Sequence, residues 1–282
     1  MTGTDPTGEE TRPTLVEAVR DAAGRQVAAE LSPGAFLAPR PLFSPPDRVR
    51  VALVSTRAGL LAGDTLDLRI TVGAGSRLEL VEPSGLVAYD HRGGASRWRA
   101  RVEIAEGGEL LWSGAPFVIA SGARVERLTE VEVAAGGRML WRDLLVLGRS
   151  GERGGAVRAL TRARHEGAEL LVEDLDLLDP EQRELPGVLG PHRVIGSVTS
   201  LGVRPPGAGH PSRMELAGPG AQVRLLDRVT PPVEAGLAAV WESWTATECR
   251  PQPRPAPPPS GRSPRAAPRS PVERRPAGSR RR

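Results

Sequence analysis

Charge delivered at the end of a hydrophobic strand is the first feature of this sequence with chemical potential. The apolar run Leu144, Leu145, Val146, Leu147 stops at Gly148 and passes straight into Arg149, Gly151 and Glu152. Gly136 and Gly137 precede it, so turn residues bracket the stretch and predict a strand rather than a helix. A cation and a carboxylate in a glycine-rich turn can place charge at the edge of a buried sheet. By residue type alone, a solvated ion pair on a surface turn is the plainer reading. Glu173, Asp174, Asp176 and Asp179 form a second acidic run, usually a wet strand face, though such a run can attract a divalent cation.

Other chemistries find no support. The chain has no lysine, so no phosphate-cradling glycine loop can be completed. Gly148, Arg149, Ser150, Gly151 lacks the spacing of a nucleophile elbow. His91, His165, His192 and His210 lie far apart, and none has a histidine or cysteine partner two to four residues on. The single cysteine, Cys249, excludes a disulfide framework and a cysteine zinc site. The sequence therefore predicts a protein that is not an enzyme.

Charge divides the 282 residues unevenly. Residues 250–282 carry ten arginines against the one acid Glu273, a net of +9. The remainder carries 28 arginines against 33 acids, a net of −5, so the overall +4 describes neither part. The basic balance comes from the tail and does not predict a nucleic-acid-binding domain. No apolar run approaches membrane-spanning length, and the polar N-terminus lacks a signal-peptide core, so a cytoplasmic protein without a membrane partner is expected.

The elements that must position the polar residues read as strands. Leu66, Leu68, Ile70 and Val72 alternate with Thr65, Asp67, Arg69 and Thr71. Glycine turns at 73–75, 107–108, 121–122 and 136–137 are each followed by another apolar alternation. Further strands are predicted over 124–133, 156–165, 170–178 and 194–203, with 35–42 an edge strand or loop because of Pro39 and Pro41. Thr230 as cap and Pro231 at the first helical position start a helix whose Leu237, Val240, Trp241 and Trp244 recur at helical spacing. Residues 1–13 are expected to be disordered, 14–248 to form a single β-rich domain, and 249–282 to be a disordered Pro/Arg-rich tail.

Several segments, in order, resemble the UreD (UreH) family of urease accessory proteins between about Leu53 and Val203. They are Leu60 to Leu68 with Gly63 and Asp64 at its centre, the turn Val72 to Leu78, and Leu111, Trp112, Pro116 and Ile119. Asp143, Leu147, Gly148, Arg149, Gly151 and Glu152 follow, then Gly196 and Ser197. Where the family carries a Thr/Gln-rich stretch before a tyrosine, residues 81–89 keep only the hydroxyl of Ser84 ahead of Tyr89.

The resemblance implies an all-β, superhelical or solenoid-like stack of antiparallel strands with a C-terminal amphipathic helix. It implies a non-catalytic chaperone in metallocentre assembly, binding urease apoprotein, UreF and, through UreF, the GTPase UreG, as a dimer within the accessory complex. No tightly bound cofactor is implied; nickel is held transiently in an internal polar tunnel. By this resemblance Asp64, Ser84, Asp143, Arg149 and Glu152 are candidates to line the passage, with loop closure by Asx-type hydrogen bonds the structural alternative. Trp241 and Trp244 are candidates for a partner-binding face, with packing on the body the alternative. A β-rich glycan- or protein-binding module is the competing class, and it requires exposed aromatic platforms.

Overall fold

The computed structural model describes residues 12–206 and 210–248. Expectations for the segment before residue 12 and for the tail 249–282 lie outside the described residues. The chain opens with β1 (Thr14–Arg20), β2 (Gln26–Ser32) and β3 (Leu37–Pro41). It then winds through β4 (Val49–Ser55), β5 (Thr65–Val72), β6 (Arg77–Val81), β7 (Leu86–Ala88), β8 (Ser96–Ile104), β9 (Glu109–Ile119), β10 (Arg124–Val133), β11 (Arg138–Leu147) and β12 (Ala156–His165). β13 (Ala168–Leu177), α1 (Pro180–Arg183), β14 (Val194–Leu201), β15 (Arg213–Glu215), β16 (Gly220–Asp227) and α2 (Thr230–Glu248) complete it.

From β4 to β12 the chain alternates between two facing sheets. One sheet has the order β13-β12-β10-β8-β5-β1-β2, the other β15-β16-β14-β11-β9-β6-β4-β3, with β7 beside β9. Each circuit lays one strand on each sheet, which gives the expected solenoid-like stack. The antiparallel expectation gives way here. β5, β8, β10 and β12 pair parallel, as do β4, β6, β9 and β11. Antiparallel pairs flank this centre, as between β1 and β2 or β12 and β13. Apart from the short β7, consecutive strands of this stretch lie in different sheets, so neighbours within a sheet are successive circuits running the same way. A period of two is the same in either direction and cannot distinguish them.

The turns explain why the glycine spacing looks irregular. Those around Gly75, Gly107 and Gly136 stack on one edge, where Gly75 N–H donates to Glu106 O at 2.9 Å and Gly107 N–H to Ala135 O at 3.0 Å. Each of the three has φ between 60° and 64°, the left-handed region that glycine enters without a Cβ penalty. The turn at 121–122 joins β9 to β10 on the opposite edge, so one sequence series mixes two stacks. Residues 35–42 supply β3, a sheet edge, where Pro39 and Pro41 are tolerated.

Leu and Val fill the space between the sheets, joined by Trp98, Trp112 and Trp141. The three indoles stack in sequence, with centroids 6.4 and 5.8 Å apart. A second apolar layer lies outside: Leu140, Leu144, Val194, Val198 and Val223 meet Val233, Leu237, Val240 and Trp244 of α2. β14 is consequently buried at every position. Thr230 is the first helical residue rather than the cap, and Asp227 Oδ1 accepts the N–H groups of Arg228 and Val229 just before it. No described helix is long and apolar enough to cross a membrane.

Leu237 is fully buried between α2 and the sheet. Leu237→Ala is expected to lower unfolding free energy by about 2–5 kcal/mol in urea titrations, whereas Leu61→Ala, at an exposed position, should change it by less than about 0.5 kcal/mol.

Candidate functional site

Parallel stacking aligns inward side chains circuit by circuit, and in the later circuits that alignment turns polar. Leu66, Trp98, Arg127 and Ala159 occupy one inward row. Leu68, Ala100, Thr129, Thr161 and Glu173 form the next. Opposite them, Asp143, Ser197 and Arg224 share a row of the second sheet, beside Trp141, Thr199 and Gln222.

Arg127 and Asp143 join the two sheets. Nη1 donates to Oδ2 and Nη2 to Oδ1, each at 2.8 Å, a bidentate fork. The Arg127 side chain is 7% exposed, and its guanidinium lies 4.4 Å from the Trp98 ring centroid and 5.8 Å from that of Trp141. Further along, Arg224 donates to Glu173 at 2.7 Å and Gln222 Nε2 to Thr199 Oγ1 at 3.0 Å.

On the other side of the fork stands Glu82. Its Oε1 accepts Trp112 Nε1–H at 2.9 Å and its Oε2 accepts Ala115 N–H at 3.0 Å. That amide is free because β9 carries an extra residue opposite Asp143, where Arg142 pairs with Ser113 but Leu144 with Pro116. Gly114 makes the bulge feasible, since a Cβ there would sit 2.5 Å from the Arg142 carbonyl. Glu82 as a residue keeps some accessibility, but its carboxyl is set deep, and desolvation pushes its pKa up.

Two cavities of about 30 Å³ flank the fork. One is lined by Thr129, Thr161, Glu173, Ser197, Gln222 and Arg224, the other by Glu82, Ser84, Trp98, Trp112 and Ala115. Arg127, Trp141 and Asp143 line both. Each has room for about one or two waters among polar partners. The result is a polar seam through an otherwise apolar interior. Among the described residues no three His, Cys, Asp or Glu side chains converge on a metal position. The seam's acids are strung along it.

Of the residues singled out from sequence, the structure brings Ser84 and Asp143 to this seam. Asp64 instead closes its own turn, Oδ2 accepting Leu61 N–H at 2.7 Å. Arg149 and Glu152 pair across a loop at the sheet edge. Glu152 Oε2 accepts Arg149 N–H at 2.9 Å and Ser121 N–H at 3.2 Å, while Oε1 accepts Arg149 Nε–H at 2.8 Å. Trp244 is buried under α2 and Trp241 packs beside it, half-buried. In the acidic run, Glu173 faces inward, Asp174 pairs outside with Arg158, and Asp179 caps α1.

Sequence reading missed Glu82, Arg127, Glu173's inward role and Arg224. Arg127 left a signal: with Thr129 it falls on the same parity as Val125, Val131 and Val133, so alternation already pointed it inward. Glu82 left none, because its role depends on the bulge in a different strand.

Three expectations follow. Asp143→Ala strands the Arg127 charge and should cost about 3–5 kcal/mol in denaturant titrations, most of it recovered in Arg127→Met/Asp143→Leu. Hydrogen bonds from the Arg149 side chain and backbone lower the Glu152 pKa to about 2. A carboxyl held low stabilises the fold fully above its ordinary value of 4.5, and that stability is lost as pH falls toward about 2. Glu152→Gln should therefore flatten stability across that window, as read by thermal melts. His91 is buried, its Nδ1 accepts Arg124 N–H at 3.0 Å, and desolvation lowers its pKa. A base kept neutral in the fold loses stability as pH drops below its ordinary 6.5. His91→Gln should remove that part of the decline.

Residues 14–259 match the family model described as UreD urease accessory protein. Urease accessory protein UreD 1 of Streptomyces griseus subsp. griseus is 68% identical over 232 residues, which cover 82% of this chain and 91% of that protein. UreD of Frankia alni is 36% identical over 246 residues, 78% of this chain and 79% of that protein. UreD of Parafrankia sp. is 32% identical over 235 residues, 73% and 79% respectively. The chain belongs to the UreD family of urease accessory proteins.

Proposed function

We propose that this chain is a non-catalytic urease maturation factor of the cytoplasm. It binds urease apoprotein and, with UreF and the GTPase UreG engaged through UreF, lets nickel enter the urease active site. Family membership supports the urease role, and the observation that carries the nickel step is the polar seam between the sheets. Nickel here is cargo, so the donors along its route must bind weakly. Oxygen donors from Glu82, Ser84, Asp143 and Glu173 meet that need, because nickel holds nitrogen and sulfur ligands more firmly. Asp64, Arg149 and Glu152 take the loop-holding role instead of the passage role. The competing glycan-binding class has little to work with: Trp98, Trp112, Trp141 and Trp244 are all buried.

The test is co-expression of the full chain with urease subunits, UreF and UreG, followed by tag pull-down and nickel- and GTP-dependent urease activation. Co-elution with activation that requires this chain is expected; soluble chain that binds neither urease nor UreF contradicts the proposal. Within that assay, Glu82→Gln should leave co-elution intact and lower activation about tenfold or more, as loss of a metal-site partner does. Glu152→Gln should leave activation close to the unsubstituted level.

A further inference from the structure

Arg127 is a charge set in an apolar row. Its inward row is filled by Leu66, Trp98 and Ala159 in the neighbouring circuits, so an apolar residue suits the position. Buried ion pairs are often replaceable by apolar residues of similar size without loss of stability. Yet the guanidinium stands at the one place common to both cavities, with Asp143 and Trp141. A metal cation moving between the cavities must reach the Asp143 carboxylate, and both of its oxygens are taken by Arg127.

The hold on Arg127 is strong but confined to one partner. Its Nε has no hydrogen-bond partner, and its guanidinium lies near the rings of Trp98 and Trp141. An aromatic face can keep a cation while its carboxylate is given up, because the attraction is broad and not directional like a fork. Glu82, on the second cavity, is an interior carboxylate that accepts hydrogen bonds from two neutral donors, an indole and a backbone amide. A divalent ion arriving there would repel the guanidinium and compete for Asp143.

We propose that Arg127 is a displaceable counter-cation that closes the seam at rest, and that a divalent transition-metal ion takes Asp143 as the guanidinium withdraws along the indoles. The proposal rests on reading the seam as the path of the metal. Arg127 is thus a positioning residue that sets when Asp143 is available. Glu173 and Arg224 form a second pair of the same kind on the far cavity.

The experiment uses the purified full-length chain and nickel ion alone, by equilibrium dialysis, with circular dichroism as a check on folding. Arg127→Gln should bind nickel about tenfold tighter than the unsubstituted chain, given the coupling typical of close charge pairs, and Arg127→Gln/Asp143→Asn should lose that gain. A folded Arg127→Gln that binds nickel no more tightly overturns the proposal. If that variant does not fold, the unsubstituted chain decides: zinc, which does not quench by paramagnetism, should change indole emission, and Trp98→Phe should abolish the change. Emission that zinc leaves unaltered, or alters equally in Trp98→Phe, overturns it. Urease activation separates the two levels. If Glu82→Gln and Asp143→Asn both activate fully, the path itself is wrong. If they fail while Arg127→Gln gains no affinity, only the counter-cation role is wrong.

Discussion

The fork between Arg127 and Asp143 is the interaction around which the interior is built. A charge between two β-sheets is stable only if a partner of opposite sign meets it with good geometry. The fork meets that condition with two bonds of 2.8 Å. It also ties β10 of one sheet to β11 of the other at the level where the indole stack ends. The two small polar cavities of the interior meet at it.

The consequences spread through the ladder. Because successive circuits run parallel and in register, a polar side chain on one circuit faces its counterpart on the next. Thr129 therefore lies beside Thr161, and the antiparallel pairing of β12 with β13 sets Glu173 beside Thr161. Across the seam, the bulge in β9 releases the Ala115 amide that Glu82 uses. α2 completes the arrangement from outside by covering the face of β14 that the seam does not use. Stability comes from apolar packing on both faces of the second sheet, which leaves the seam free to hold partly satisfied polar groups.

Much of the architecture was legible in the sequence, and the losses have physical causes. Alternation located the strands over 124–133 and 156–165, since a half-buried strand must alternate. It was silent on direction, because parallel and antiparallel strands share that period, and so the antiparallel expectation failed. α1 is a single turn capped by Asp179, too short to show a helical period in sequence. At the site, motif resemblance grouped Asp143 and Ser84, which line a cavity beside the fork, with Asp64, Arg149 and Glu152, whose carboxylate and guanidinium groups bond within loops. Residue type cannot separate a carboxylate that closes a turn from one that faces a cavity; the backbone that surrounds it does. Arg127 was readable from parity alone, and Glu82 was not.

The interior seam is proposed to carry nickel. The most direct test is a crystal of the accessory complex containing this chain, exposed to nickel, with anomalous diffraction recorded at the nickel absorption edge. An anomalous peak inside the sandwich, between the carboxylates of Glu82 and Asp143, is expected. Peaks confined to the outer surface, with the Arg127–Asp143 fork unchanged at nickel concentrations that support urease activation, would contradict it.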